Sequence, residues 1–202
     1  MYFGGNKMLI LLNSLPVEIE NFCRKEAGES SVVSTLDKKD LSYIGEGSHG
    51  EVYELTDSTV IKYFNSKGKQ GNNFDYLPLK NLQGIAGVPV LYAYCEKEFV
   101  VMEKAKGLKL DEYFTTHGRL PSDLKVWLKD LLEEFSKKKW FFDDINIYED
   151  VFITEDKEEM TLVDYSLYLH LPQANENQAN RTVESTYNAL IENLQMNGYI
   201  IE

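Results

Sequence analysis

The chain has 202 residues, and 21 Lys and Arg against 33 Asp and Glu leave a formal net charge of −12. A hydrophobic share of 43% and an aromatic share of 12% argue against disorder. The acid excess argues against a general nucleic-acid binder and against docking on an anionic membrane, since both depend on Lys and Arg. This length suits one large domain or two small lobes. The charge is uneven: residues 141–202 carry 13 acids and two bases, Lys157 and Arg181. Cys23 and Cys95 are far apart and in no CxxC pair, which points to free thiols in a reducing cytosol. The longest early apolar run, Met8 to Leu12, is too short for a membrane span or a signal-peptide core and reads as a strand or a packing segment.

In chain order, Val17 to Glu26 predicts a short helix after Pro16. Ala27 to Asp40 is polar and reads as a linker. Leu41 to Leu55 alternates apolar and polar residues around a glycine-rich turn, the pattern of a hairpin. Thr59 to Phe64 is β-rich, Ser66 to Asn73 reads as a loop, and Phe74 to Leu82 has helical spacing. Val88 to Tyr94 and Glu98 to Glu103 read as strands. The period then changes. Leu110 to Phe114 suggests a short helix, and a longer one starts at Pro121-Ser122-Asp123 with Leu124, Trp127, Leu128, Leu131 and Phe135 on one face. Val151 to Ile153 and Thr161 to Val163 predict a strand pair, Leu171 to Asn180 a loop, and Val183 to Leu194 a last amphipathic helix. The order predicts an α+β fold with a β-rich part before an α-rich part.

Four stretches carry candidate chemistry. Gly45-Glu46-Gly47-Ser48-His49-Gly50-Glu51-Val52 lets a backbone turn approach phosphates. It continues as a strand, unlike a dinucleotide turn that opens a helix. Lys62 ends the apolar run Val60-Ile61-Lys62. Val101 to Gly107 ends a strand before the helical half, where backbone groups can meet an adenine edge. Asp164 ends a third apolar run, and Phe142 to Ile153 places Asp144, Asn146, Glu149 and Asp150 before another. Carboxylates at strand ends suit Mg²⁺ completed by substrate phosphates.

Together these residues resemble the protein kinase superfamily, nearest to its small, divergent bacterial and effector-type members. The likeness runs from about Leu41 to Leu167. It implies a two-lobed kinase-like fold: an extension at 1–40, an N-lobe at 41–104 and a truncated α-rich C-lobe at 105–202. It implies that Gly45, Gly47, Ser48, Gly50, Val52, Lys62, Met102, Glu103 and Ala105 bind ATP, with Met102 as gatekeeper. It implies that Asp144 orients the acceptor hydroxyl and that Asp164 binds Mg²⁺, or Mn²⁺, in Asp164-Tyr165-Ser166. Asn146, Glu149 and Asp150 are further metal candidates.

The departures shape the expectation. The His-Arg-Asp triplet reads Phe142-Asp143-Asp144, so control by activation-loop phosphorylation is not expected. The catalytic-loop Asn position falls on Glu149 or, with one inserted residue, on Asp150. Residues 63–88 contain no Glu, so the helix partner of Lys62 is Asp75 or is missing. Leu79 and Leu82 follow Asp75 at helical spacing, which favours Asp75. The expected activity is transfer of the ATP γ-phosphoryl group to a protein Ser or Thr hydroxyl, by a cytoplasmic monomer, with delivery into a host cell left open. The alternatives are a pseudokinase-like module that binds a partner protein, and a small-molecule kinase.

Overall fold

A computed structural model describes residues 8–70, 75–142, 146–156, 159–165 and 168–201. Asp144 lies outside these residues, as do Asp143, Phe74 and Ser166. The chain is an α+β protein in two units, Met1–Leu77 with Val90–Lys104, and Pro78–Pro89 with Ala105–Glu202. This division departs from the expected one in two places. Residues 8–40 belong to the first unit, and residues 78–89 belong to the second.

The first unit is built on strands β1 (Leu9–Leu11), β2 (Ser42–Gly47), β3 (Gly50–Thr56), β4 (Thr59–Phe64), β5 (Leu91–Cys95) and β6 (Phe99–Glu103). They form one antiparallel sheet in the order β1-β5-β6-β4-β3-β2. Helix α1 (Val17–Glu26) covers one face. Its Ile19, Phe22 and Cys23 follow helical spacing and pack with Ile61, Ala93, Phe99 and Val101. Glu18 and Glu20 in its first turn and Arg24 and Lys25 in its last complement the helix dipole. Leu9, Ile19, Phe22, Cys23 and Ala27, within the segment expected as an extension, are therefore part of the core, because without them this sheet face would meet water.

Side chains alternate across a strand, so Lys62 lies on the face opposite Ile61. Helix α2 (Ser66–Gln70) and helix α3 (Tyr76–Leu82) follow β4. The expected loop at Ser66 is helical because Asn65 starts it. The Asn65 carbonyl accepts the Lys69 N–H at 2.9 Å, and its Oδ1 accepts the Gly68 N–H at 2.9 Å.

The second unit contains β7 (Leu108–Lys109), α4 (Leu110–His117), α5 (Asp123–Lys137), β8 (Trp140–Phe142), α6 (Ile147–Asp150), β9 (Val151–Ile153), β10 (Met160–Leu162), β11 (Tyr168–His170) and α7 (Glu176–Met196). The expected pair β9 and β10 forms a small sheet with β7. Strands β8 and β11, absent from the sequence reading, pair as a ribbon. Helix α7 starts well before the expected Val183. Asn175 and Gln178 cap it reciprocally, each side chain accepting the other's backbone N–H at 3.0 Å. Leu128, Leu132 and Phe135 of α5 and Val183, Leu190 and Leu194 of α7 are buried. Residues 78–89 join this unit through the Leu162 N–H, which donates to the Gly87 carbonyl at 2.9 Å. The Lys138 ammonium likewise donates to the Asn81 carbonyl at 2.8 Å.

Candidate functional site

In the first unit the pairing register decides which predicted residues share a face. Gly45 lies opposite Val52, and Val52 lies opposite Lys62. On β6, Val100 faces Lys62 and Met102 faces Val60. Directly paired residues point to the same side of an antiparallel sheet. Gly45, Val52, Lys62 and Met102 thus occupy one face, the face that α1 does not cover. A register shift between Tyr43 and Gly45 bulges the strand and brings Gly45 into line with Val52.

The glycines divide by what holds them. At Gly50 an added Cβ would run into the Tyr63 carbonyl, so the fold itself demands glycine there. At Gly45 a Cβ would meet nothing within 4 Å, and its φ is not positive. Neither packing nor backbone conformation demands glycine at Gly45. The turn residues are Ser48 and His49, whose Oγ and Nδ1 lie 2.9 Å apart.

Lys62 is 5% exposed and Asp75 1% exposed at the side chain, and Lys62 Nζ lies 2.6 Å from Asp75 Oδ2. Asp75 is placed just ahead of α3, whose Tyr76 and Leu79 are buried. The partner favoured by the sequence spacing is therefore the one that Lys62 meets. A buried ion pair is seldom retained for stability, because desolvation of two charges offsets their attraction. Glu103 is half-buried, and its backbone N–H donates to the Val90 carbonyl at 2.8 Å while its carboxylate accepts the Val90 N–H at 3.2 Å. The Lys104 ammonium pairs with Glu54, and its backbone N–H donates to the Ser58 carbonyl at 2.9 Å. The end of β6 is thus tied to the β3–β4 hairpin.

In the second unit, Ala105 is half-buried, Asn146 and Glu149 are exposed, and Asp150 is half-buried. The Asp150 carboxylate accepts the Asn146 N–H at 3.0 Å and so closes the turn that starts α6. The Asp150 carbonyl accepts the Val163 N–H at 2.8 Å. That bond extends the β9–β10 ladder and sets the Asp150 backbone against the residue before Asp164. Of Glu149 and Asp150, Asp150 is the one whose carbonyl joins this ladder. Asp164 has φ +61°, a left-handed conformation that costs most residues about 1–2 kcal/mol and that Asp tolerates better than most. Tyr165 secures the position from below. It is buried, donates its hydroxyl to the Leu162 carbonyl at 3.0 Å, and stacks on Tyr168 at 5.2 Å. Among the described residues no group of three or more His, Cys, Asp or Glu side chains could hold a metal ion. Mg²⁺ asks less of a protein: one or two carboxylates, with phosphates and water filling the shell. Asp150 and Asp164 supply oxygen donors of that kind.

Sequence reasoning passed over Asn65 and Gly68, which hold the tip of the glycine turn. Their signal was an Asn followed three residues later by Gly, just after a strand. In comparison with known proteins, no family model matches the chain and no curated protein matches it.

Proposed function

We propose that the chain binds Mg–ATP and transfers the γ-phosphoryl group to a Ser or Thr hydroxyl of a protein. The observation that carries this reading is the sheet face bearing Gly45, Val52 and Met102 around a buried Lys62–Asp75 pair. Asp75 fixes the ammonium in place, and the bare backbone at Gly45 leaves room for an anion beside the hairpin. Lys62 takes the α- and β-phosphates, and the glycine turn covers them.

Asp164 and Asp150 would hold the magnesium. When bound, the metal neutralises charge developing on the phosphate oxygens. Asp144 accepts the proton of the acceptor hydroxyl. The acceptor oxygen bonds to the γ-phosphorus as the bond from phosphorus to the β–γ bridging oxygen breaks, and ADP leaves. Positioning and charge neutralisation supply most of the rate.

Radiolabel transfer from ATP tests the proposal, with Asp164→Asn and the double variant Lys62→Met/Asp75→Leu as controls. The double variant removes the cation together with its buried counter-charge. Label on wild type alone supports the reading, and equal labelling by all three sinks it. A Mg–ATP-dependent rise in melting temperature without any transfer would point instead to a nucleotide-binding module.

A further inference from the structure

The tip of the glycine turn is held by a residue outside the hairpin, through its side chain and its backbone. Asn65 follows β4 directly and bonds both tip residues. Its backbone N–H donates to the His49 carbonyl at 3.0 Å, and its Nδ2 donates to the Ser48 carbonyl at 3.2 Å. Its Oδ1 accepts the Gly68 N–H at 2.9 Å, which orients the amide. Gly68 is buried, and a Cβ there would run into the His49 carbonyl. Asn65 itself is exposed and fills no core.

We infer that Asn65 is a positioning residue that sets the glycine turn for a phosphate-bearing ligand. The inference rests on the nucleotide reading above. The reasoning is electrostatic. A glycine-rich tip left to itself can rotate its peptide planes, and a carbonyl turned toward a phosphate repels it. Asn65 holds the Ser48 and His49 carbonyls toward itself. Because a peptide is planar and trans, the His49 N–H then points away from Asn65, opposite the Ser48 carbonyl. Two acceptors are withdrawn and a donor is oriented before any ligand arrives, so the ordering cost is met in the free protein. Gly68 is the second element, since only a residue without a side chain lets the α2 backbone sit against the tip.

The experiment uses the full chain, with Asn65→Ala and Gly68→Ala as separate lesions. Amide hydrogen exchange over residues 44–52 without ligand reads the turn. Calorimetric titration with Mg–ATP and with adenosine reads the consequence. Both variants should exchange faster over 44–52 and bind Mg–ATP about three- to tenfold more weakly, the scale of one or two lost hydrogen bonds. Adenosine, which has no phosphate, should bind wild type and Asn65→Ala equally. Unchanged exchange in Asn65→Ala overturns the inference. So does an equal loss for ATP and adenosine, which would mark a general structural defect. Wild type that binds Mg–ATP with Asn65→Ala unchanged overturns the clasp alone. Wild type that binds no Mg–ATP overturns the nucleotide reading, and the clasp's role falls with it.

Discussion

Removing one partner of the Lys62–Asp75 pair should cost far more than removing both. Asp75→Asn leaves an ammonium 5% exposed beside a neutral amide on an apolar sheet face. Taking one charge away from a buried ion pair costs about 3–5 kcal/mol. For a chain of this length that is a fall in melting temperature of about 6–20 °C. Lys62→Met takes the ammonium from beside the buried carboxylate instead and should cost a similar amount. The double variant Lys62→Met/Asp75→Leu removes both charges of the pair and should lie within about 1 kcal/mol of wild type, or above it. The two costs therefore do not add, and the coupling in a double-mutant cycle should be several kcal/mol. Urea unfolding followed by far-UV circular dichroism is the suitable assay. Trp127 and Trp140 are the only tryptophans and both lie in the second unit, so circular dichroism reports more directly than fluorescence on the sheet that holds the pair. Single variants costing under about 1 kcal/mol, or a double variant as unstable as the sum of the singles, would refute the reasoning.

The glycines should separate folding from binding. Gly50→Ala meets the Tyr63 carbonyl and should lose about 1–3 kcal/mol in the same urea assay, whereas Gly45→Ala should change stability by less than about 1 kcal/mol. Gly45→Ala should nonetheless weaken Mg–ATP binding, measured by titration. Tyr165→Phe removes the bond to the Leu162 carbonyl and should cost about 0.5–1.5 kcal/mol; Tyr165→Ala should cost about 3–5 kcal/mol. Burial, with Glu26 and Glu20 nearby, pushes the Cys23 thiol up to about 12. The folded state therefore favours the neutral thiol. Its contribution is intact below an unfolded thiol pKa near 8.5 and is lost as pH rises from there toward about 12. Melting curves at pH 8 and pH 10 should show Cys23→Ala losing about 1–2 kcal/mol less than wild type over that interval.

The strands and helices that depend on local pattern were legible in the sequence. β4 and the β2–β3 hairpin follow alternation and turn chemistry, and α1 and α5 follow apolar spacing. Asp75 was legible for a different reason: it is the only acid between Lys62 and Pro89, so a buried Lys had one candidate partner in that stretch. What the sequence hid depends on distant pairing or on polar caps. β8 is three aromatic residues whose partner β11 lies beyond two other strands. β7 is two residues long and exists through its pairing with Ile153 and Phe152. α2 and the start of α7 arise from Asn65 and Asn175, polar residues that a hydropathy pattern reads as loop. The N-terminal strand and helix were legible, but their destination was not. Ile19, Phe22 and Cys23 already marked a buried stripe, but nothing in the sequence showed which surface it would cover.

The pairing of Leu9 with Cys95 sets a timetable for synthesis. β1 and α1 are made first, yet the strand that receives β1 is among the last of the sheet to leave the ribosome. Until residue 95 has emerged, the Leu9–Leu11 edge has no hydrogen-bond partner and the apolar stripe of α1 lacks part of its floor. An unpaired edge of this kind is a template for pairing with other chains. Closing so long a loop adds little entropy beyond that of a shorter one, but it delays native pairing. A pause after residue 95, or a chaperone that shields residues 9–26 before it, should raise the soluble yield, whereas a pause ahead of residue 91 should lower it.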